Sequence, residues 1–231
     1  MPNFVLLDYL ALGVFLLSWL SYHFYQEASP QGRTSLNEVM NHNRHLWMLR
    51  ALERDGRIVD ASIMGSLQNG AAFFASTALI AIGGTLSALG ATDSVMGLLA
   101  SMPWTPPTDR TVFELKILGL AVIFVHSFFK LLWSYRLFNY AAILVGAMPI
   151  LGTGSKAERT AAAERAARMN ISAGKHFNRG LRAFFYALAY LGWFAGPLPL
   201  IVTSIIVTVV MWRRQFTSDS LAAATWTGES A

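Results

Sequence analysis

Four long apolar segments constrain the fold of this chain more than any other feature. They lie at about 4–22, 71–89, 117–137 and 184–212. A helix needs about 20 mostly apolar residues to cross the hydrocarbon core of a bilayer. Inside lipid, every backbone N–H and C=O group must find its partner within the segment. The sequence therefore predicts an all-α protein built as a four-span transmembrane helical bundle.

The composition agrees with a membrane protein. Hydrophobic residues make up 54% of the chain, charged residues only 13%, and the mean hydropathy is +0.43, whereas about a quarter of a soluble domain is charged. The absence of cysteine excludes disulfides, thiolate zinc sites and iron–sulfur ligation. With 231 residues, we expect a single membrane domain over 1–214, followed by a polar tail over 215–231.

Basic residues collect in the first and third connecting segments. The first carries Arg33, Arg44, Arg50, Arg54 and Arg57, and the third carries Lys156, Arg159, Arg165, Arg168, Lys175, Arg179 and Arg182. Because Lys and Arg in short loops mark the cytoplasmic side, both segments should face the cytoplasm. We therefore predict a multi-pass protein of the cell inner membrane with both ends on the outer, periplasmic side. Arg213 and Arg214 are out of place in that arrangement.

This charge distribution accounts for the net charge of +5 without a nucleic-acid partner. The expected partners are the lipid bilayer and either further copies of the chain or a larger membrane complex. Two amphipathic cytoplasmic helices are predicted at about 35–55 and 155–172. Each opens on a capping-box pattern, in which a serine precedes a glutamate by three residues, and Gly174 follows the second. These helices would lie at the lipid headgroups or pack on the base of the bundle.

Three features of the spans carry further expectations. The small residues of 71–89 favour close helix packing, so we expect this span to be the most buried. The third apolar segment is interrupted by Lys130 and Arg136 and is interpreted as one long helix that continues past Arg136 into the cytoplasm. Gly196 to Pro199 should break the fourth span, as a kink or as a broken helix at a substrate site.

Polar side chains within the spans are the candidates for a functional site, because an uncompensated charge at mid-bilayer costs at least about 2.5–3.5 kcal/mol. The candidate ion or ligand residues are Asp60, Asn69, His126, Lys130, Ser134 and Arg136. His126, Lys130 and Ser134 recur every four residues, which places them on one helical face.

The depth of each ionisable side chain in the membrane indicates which charged residue it can pair with. Asp60 is the expected partner of Lys130, since both lie toward the cytoplasmic side, and Asp8 should reach the outer interface. The alternative is structural, with Lys130 extending to the headgroups and His126 hydrogen-bonded across helices.

No pattern identifies a catalytic residue, a cofactor or a metal. Glu38, His42 and His45 share one helical face, but an exposed helix with two histidines and a glutamate is a common and weak metal signal. No nucleophile–base arrangement, phosphate-binding loop or paired catalytic carboxylate is present. An enzyme is therefore the least favoured class.

Several segments resemble a known family. They are SLQNGAAFFAST at 66–77, FFKLLWSYRLFNY at 128–140, and the shorter segments at 146–149, 177–184 and 213–216. They are similar to the domain of unknown function 599 (DUF599) family of multi-pass membrane proteins, over most of the chain. The resemblance implies a four-helix membrane protein and brings no activity or ligand.

Two functions remain open from the sequence. The first is ion or small-molecule transport through a polar intramembrane site around His126, Lys130, Ser134 and Arg136. The second is an accessory or assembly role in a larger membrane complex, docked through the small-residue face and the interfacial helices.

Overall fold

The computed structural model describes residues 5–28, 34–54, 56–103 and 108–226. Within these ranges the chain is helical and contains no strand, which confirms the all-α prediction. The helices are α1 (Leu6–Ala28), α2 (Leu36–Arg50), α3 (Ile58–Gly90), α4 (Thr92–Ala100), α5 (Arg110–Gly146), α6 (Lys156–Tyr190), α7 (Pro197–Phe216) and α8 (Asp219–Thr225). Short 3-10 segments lie at Ala51–Glu53 and Leu191–Ala195. Arg33 lies outside the described residues.

Four helical segments in the described ranges are long and apolar enough to cross a membrane, as predicted. They are Leu6–Glu27, Ile58–Gly90, Arg110–Gly146 and Pro197–Thr225. The fourth begins at Pro197 rather than near 184, because the preceding apolar residues belong to α6. The expected end of that helix near Gly174 is wrong, since α6 continues to Tyr190. A Cβ added at Gly174 would collide with the Arg44 guanidinium, because it would lie 2.6 Å from Nη1, so this glycine serves close packing.

Local chemistry explains the ends of the third span and the start of α6. The third span is one helix through Lys130 and Arg136, as predicted. At its end, Arg57 donates to the carbonyl oxygen of Val145 in the last turn and to those of Met148 and Pro149 just beyond it, at 2.9, 2.9 and 2.7 Å. Such donors satisfy carbonyl groups that have no partner within a helix.

The predicted capping box at the start of α6 is present. The Ser155 backbone N–H donates to Glu158 Oε2 at 2.8 Å, and the Glu158 N–H donates to Ser155 Oγ at 3.2 Å. These hydrogen bonds hold the pKa of the Glu158 carboxyl below its ordinary value.

The break at Gly196 to Pro199 separates two helices. Gly196 has φ 127°, a backbone conformation that glycine adopts without a steric penalty. Pro197 occupies the first turn of α7, where a proline costs no hydrogen bond. The prolines therefore begin a helix instead of kinking one.

The chain divides into two compact units. Helices α3, α5 and α6 each have residues in both units. Unit one comprises Met1–Leu36, Ala78–His126 and Arg182–Ala231, and unit two comprises Asn37–Thr77 and Ser127–Leu181. In unit one, the end of α6 is the central element. Tyr186, Ala187 and Trp193 are buried there against Phe15 of α1 and Leu200 of α7.

Unit two has a core of small residues. Alanines of α6 pack against Met48 of α2 and Val145 at the end of α5. A second cluster joins Ala71 of α3, Phe138 of α5 and Ala173 of α6.

The small-residue span is not the most buried one. Only 17% of the most apolar window of α3 is buried, against 44% for α5. Gly83, Gly84 and Ser87 are exposed, and a Cβ added at either glycine would meet no atom within 4 Å. The expectation from residue size is therefore wrong for the chain alone.

Candidate functional site

A buried ion pair in unit one joins the start of α1 to α5. Lys116 Nζ lies 3.8 Å from Asp8 Oδ1, and the two side chains are 5% and 11% exposed. The Trp193 indole N–H donates to the same carboxylate oxygen at 2.6 Å. Lys116 also donates to the Trp193 carbonyl at 3.1 Å, and its ammonium lies 5.0 Å from the indole ring centre. Each charge therefore has several partners, which is what a buried ion pair requires.

This arrangement differs from the sequence prediction in two ways. Asp8 is buried against Lys116 and Trp193 inside the protein, and neither partner was predicted for it. Lys116 is not among the predicted site residues, although its spacing carries a signal. It falls on the helical stripe of buried apolar residues Val112, Phe113, Ile117 and Leu120, and a lysine on such a stripe faces the core.

A second ion pair in unit one lies at the other end of α1. Arg182 Nη2 donates to Glu27 Oε1 at 3.0 Å, and the Arg182 side chain is 4% exposed. Its guanidinium lies 5.6 Å from the Tyr22 ring centre. Arg182 is therefore part of the packed interior and not, as predicted, a residue of a basic loop.

In unit two the most buried acidic group is Asp60, in the first turn of α3. It is fully buried, accepts a hydrogen bond from the Trp47 indole N–H at 2.7 Å, and pairs with the Arg54 guanidinium. Its second oxygen, Oδ2, is buried without a hydrogen-bond partner. Asp60 thus ties α2 and the link after it to α3, with one acceptor left unused.

A second unused acceptor lies on α6 in the same unit. Asn170 is fully buried, its Nδ2 contacts Met64 Sδ at 3.2 Å, and its Oδ1 has no partner. Met64 lies one helical turn after Asp60. Buried acceptors are nearly always paired. A hydrogen-bond donor or a cation would therefore bind favourably at the unpaired oxygens of Asp60 and Asn170 in unit two.

A chain of polar side chains follows one face of α2. Arg44 Nη1 donates to Asn41 Oδ1 at 3.1 Å, and Asn41 Nδ2 donates to Glu38 Oε2 at 3.1 Å. Burial lowers the pKa of Arg44 from its ordinary value, but a guanidinium remains protonated at physiological pH. This network holds a cation inside unit two beside Gly174.

The predicted site residues are dispersed. His126 is exposed and belongs to unit one, where its ring lies 6.0 Å from that of Trp19. Asn69 is exposed on α3. Asp60 pairs with Arg54, not with Lys130, so the expected Asp60–Lys130 pair is absent. The nearer arginine on the preceding link supplies the charge that Asp60 needs.

The other three predicted residues lie on α5 within unit two. Ser134 is buried and donates to the Ala173 carbonyl at 2.8 Å, which makes it a link between helices. Arg136 is exposed and donates to the Tyr140 hydroxyl at 2.7 Å. Lys130 is half-buried and, among the described residues, makes no hydrogen bond or ion pair.

No group of three or more His, Cys, Asp or Glu side chains suited to a metal ion occurs in the part of the chain that the structure describes. His45, one of the weak metal candidates, instead contacts Glu164 Oε1 through Nε2 at 2.6 Å.

The class of protein follows from the helices: the residues that the structure describes are all-α and include four helices able to cross a membrane. The chain belongs to the family described as "Protein of unknown function, DUF599", whose sequence model matches residues 10–220. No curated protein and no solved structure matches the chain.

Proposed function

We propose that the protein is an accessory subunit of a larger complex in the cell inner membrane. The two basic segments, one between α1 and α3 and the other between α5 and Arg182, would lie in the cytoplasm. Lys130 is the observation that carries this proposal. Its ammonium group makes no hydrogen bond or ion pair among the described residues, and a carboxylate of a partner protein would supply one. Positive-inside bias supports the cytoplasmic assignment.

The depth of Lys130 in α5 supports this role. Lys130 follows Lys116 by fourteen positions, or about 21 Å of helix. If Lys116 marks one border of a hydrocarbon core about 30 Å thick, Lys130 lies about 9 Å inside the other. Side chains tilt toward the N-terminus of their helix, which directs Lys130 away from the nearer border. Extension of the Lys130 side chain to the lipid headgroups is therefore unfavourable.

The surroundings of Lys130 favour a protein neighbour with a carboxylate. Phe129 and Trp133, on the same stretch of α5, are 62% and 46% exposed and provide an apolar surface beside the charge. In the described residues, Asp60 is the acid nearest the cytoplasmic start of α3, and it is already paired. Glu53 is exposed in the link before α3, but it lies outside the helices able to cross the membrane, so α3 of a second copy would bring no exposed acid. We infer that the partner is a different membrane protein, with Asp or Glu in a transmembrane helix.

The exposed face of α3 supports the same role independently. A Cβ added at Gly83 or Gly84 would meet no atom within 4 Å, and Ser87 on the same stretch is exposed. Small residues let membrane helices approach closely, so this face suits a second helix of the complex.

Photo-crosslinking tests the proposal. A photoreactive phenylalanine analogue at Trp133 should crosslink a distinct membrane protein, whereas the same analogue at Val209, which is 50% exposed on α7, serves as the control. Lys130→Met should weaken the complex about 100-fold, because it leaves the partner's carboxylate uncompensated at a cost of about 2.5–3.5 kcal/mol. Lys130→Arg should retain it. Crosslinks only to a second copy, or equal crosslinking from both positions, would contradict the proposal.

Ion or small-molecule transport is the second candidate. The unpaired Asp60 Oδ2 and Asn170 Oδ1 favour it, because both are acceptors that a cation or a donor ligand would use. Lys130→Met and Asn170→Leu in reconstituted vesicles should then abolish a flux while the protein remains folded. Unchanged flux in both variants would contradict this role.

A further inference from the structure

We propose that the chain crosses the bilayer five times, so that the start of α1 and the end of α7 lie on opposite sides of the membrane. The additional crossing is made by the end of α6 and the following 3-10 segment, between Arg182 and Trp193. This inference does not depend on the proposed function.

Contacts along α1 fix the direction of the extra crossing within unit one. Trp193 donates to Asp8 at the start of α1, the Tyr186 hydroxyl donates to the Ser18 carbonyl at 3.0 Å near its middle, and Arg182 pairs with Glu27 at its end. The order of residues along one segment is reversed along the other. The end of α6 therefore runs antiparallel to α1.

Helix α7 returns in the opposite direction. Thr203 Oγ1 donates to the Ala189 carbonyl at 2.7 Å, and Thr208 Oγ1 lies 2.8 Å from the Tyr186 hydroxyl. Residues that follow one another in α7 thus meet earlier and earlier residues of α6. The two segments form an antiparallel hairpin that turns at Gly196.

It follows that α7 and α1 are parallel, and direct contacts agree. The Tyr22 hydroxyl donates to the Met211 carbonyl at 3.3 Å, and the rings of Tyr25 and Phe216 are 5.3 Å apart. Helix α5 has the same direction, since Lys116 meets Asp8 and Trp19 meets His126. With α1, α5 and α7 parallel, the chain must return twice between them, through α3 and through α6.

The lengths are sufficient for a crossing. Asp8 and Glu27 are separated by about 28 Å along α1 at 1.5 Å per residue, close to the hydrocarbon thickness of about 30 Å. From Arg182 to Trp193 the axis rises about 18 Å, and the long Arg182 and Trp193 side chains cover the remainder. This segment has no need of a wholly apolar surface, because Tyr186 and Ala187 are fully buried against protein.

The charge distribution gives independent support. In a four-span arrangement Arg213 and Arg214 lie opposite the basic segments. With five crossings, the last turn of α7, which carries both arginines, lies on the same side as those segments. All the clustered basic residues then follow the positive-inside rule, and Arg110 remains on the other side with Asp93, its partner at 2.8 Å.

Single-cysteine labelling tests the crossing number, and the cysteine-free sequence needs no background mutations. The exposed positions Ser94, Ala161 and Ser220 are each replaced by cysteine and treated in spheroplasts with a membrane-impermeant maleimide. Labelling after detergent permeabilisation gives the value for complete reaction of each cysteine. We expect Ser94→Cys to label at least tenfold more than Ala161→Cys and Ser220→Cys.

Each outcome bears on the inference. Equal protection of Ala161→Cys and Ser220→Cys supports five crossings, and Ala223→Cys in α8 should repeat the result of Ser220→Cys. If Ser220→Cys labels with Ser94→Cys, the chain crosses four times and the inference is wrong. If Ala161→Cys and Ser220→Cys label together while Ser94→Cys is protected, five crossings stand and only the cytoplasmic assignment fails.

Discussion

The contact between α5 and α6 in unit two predicts a strong effect of adding one methyl group at Gly180. A Cβ there would lie 2.6 Å from Leu131 Cγ and 3.2 Å from the Leu131 backbone nitrogen, whereas carbon atoms pack at about 3.5–4.0 Å. Because one obstacle is backbone, rotation of the leucine side chain cannot make room. The helices must move apart by roughly 1 Å to restore ordinary contact.

The energies of Gly180→Ala can be compared term by term. Overpacking costs about 1–3 kcal/mol, and separation weakens the hydrogen bond from Ser127 Oγ to the Gly180 carbonyl, now 2.8 Å, by up to about 1 kcal/mol. The higher helix propensity of alanine offsets about 1 kcal/mol. We expect a net loss of up to about 3 kcal/mol in the free energy of unfolding.

Unfolding by increasing mole fraction of SDS in mixed micelles, followed by circular dichroism, measures this loss. Gly13→Ala in α1 is the matched control, since a Cβ there meets no atom within 4 Å, and it should be neutral or stabilising by up to about 1 kcal/mol. If Gly180→Ala is as stable as Gly13→Ala, the close approach of α5 and α6 is refuted.

Three further predictions follow from the buried polar groups and the helix cap. Lys116→Met should lower the free energy of unfolding by about 3–5 kcal/mol, and adding Asp8→Asn should recover part of it in the same SDS assay; a double variant no more stable than the single would refute the ion pair. Asp60→Asn should cost about 1.5–3 kcal/mol and abolish any effect of Arg54→Ala, so additive losses would contradict their pairing. Because the pKa of Glu158 is lowered in the folded protein, its cap stabilises α6 at pH values above the unfolded pKa of about 4.3. This stabilisation is lost as the pH falls through the folded pKa. Carbon NMR titration of Glu158 should give a midpoint below about 4.3 that rises in Ser155→Ala, and an unchanged midpoint would contradict the cap.

Much of the helical architecture is predictable from local chemistry. The four apolar segments, the capping box at Ser155 and the continuity of α5 past Arg136 all depend on residues close together in sequence. The end of α6 is not predictable in this way. Its N-terminal part is polar, so an average over the whole helix conceals the apolar residues that follow Arg182, and the hydropathy pattern joins these to α7 instead.

The candidate site is less predictable because its partners are distant in sequence. Lys116 finds Asp8 and Trp193, and Arg182 finds Glu27, through tertiary packing that no spacing rule describes. Asp60 pairs with Arg54 and not with Lys130 because the link after α2 brings an arginine directly to the first turn of α3. Lys130 itself stays without a partner among the described residues, and that is the basis of the proposed assembly role.

The mass of the native complex tests that role most directly. A chromosomally tagged copy is extracted in a mild detergent and analysed intact by native mass spectrometry. The account predicts a stoichiometric foreign membrane protein that is lost from the Lys130→Met variant and kept by Lys130→Arg. A monomer or a homo-oligomer of unchanged mass in all three proteins would contradict it.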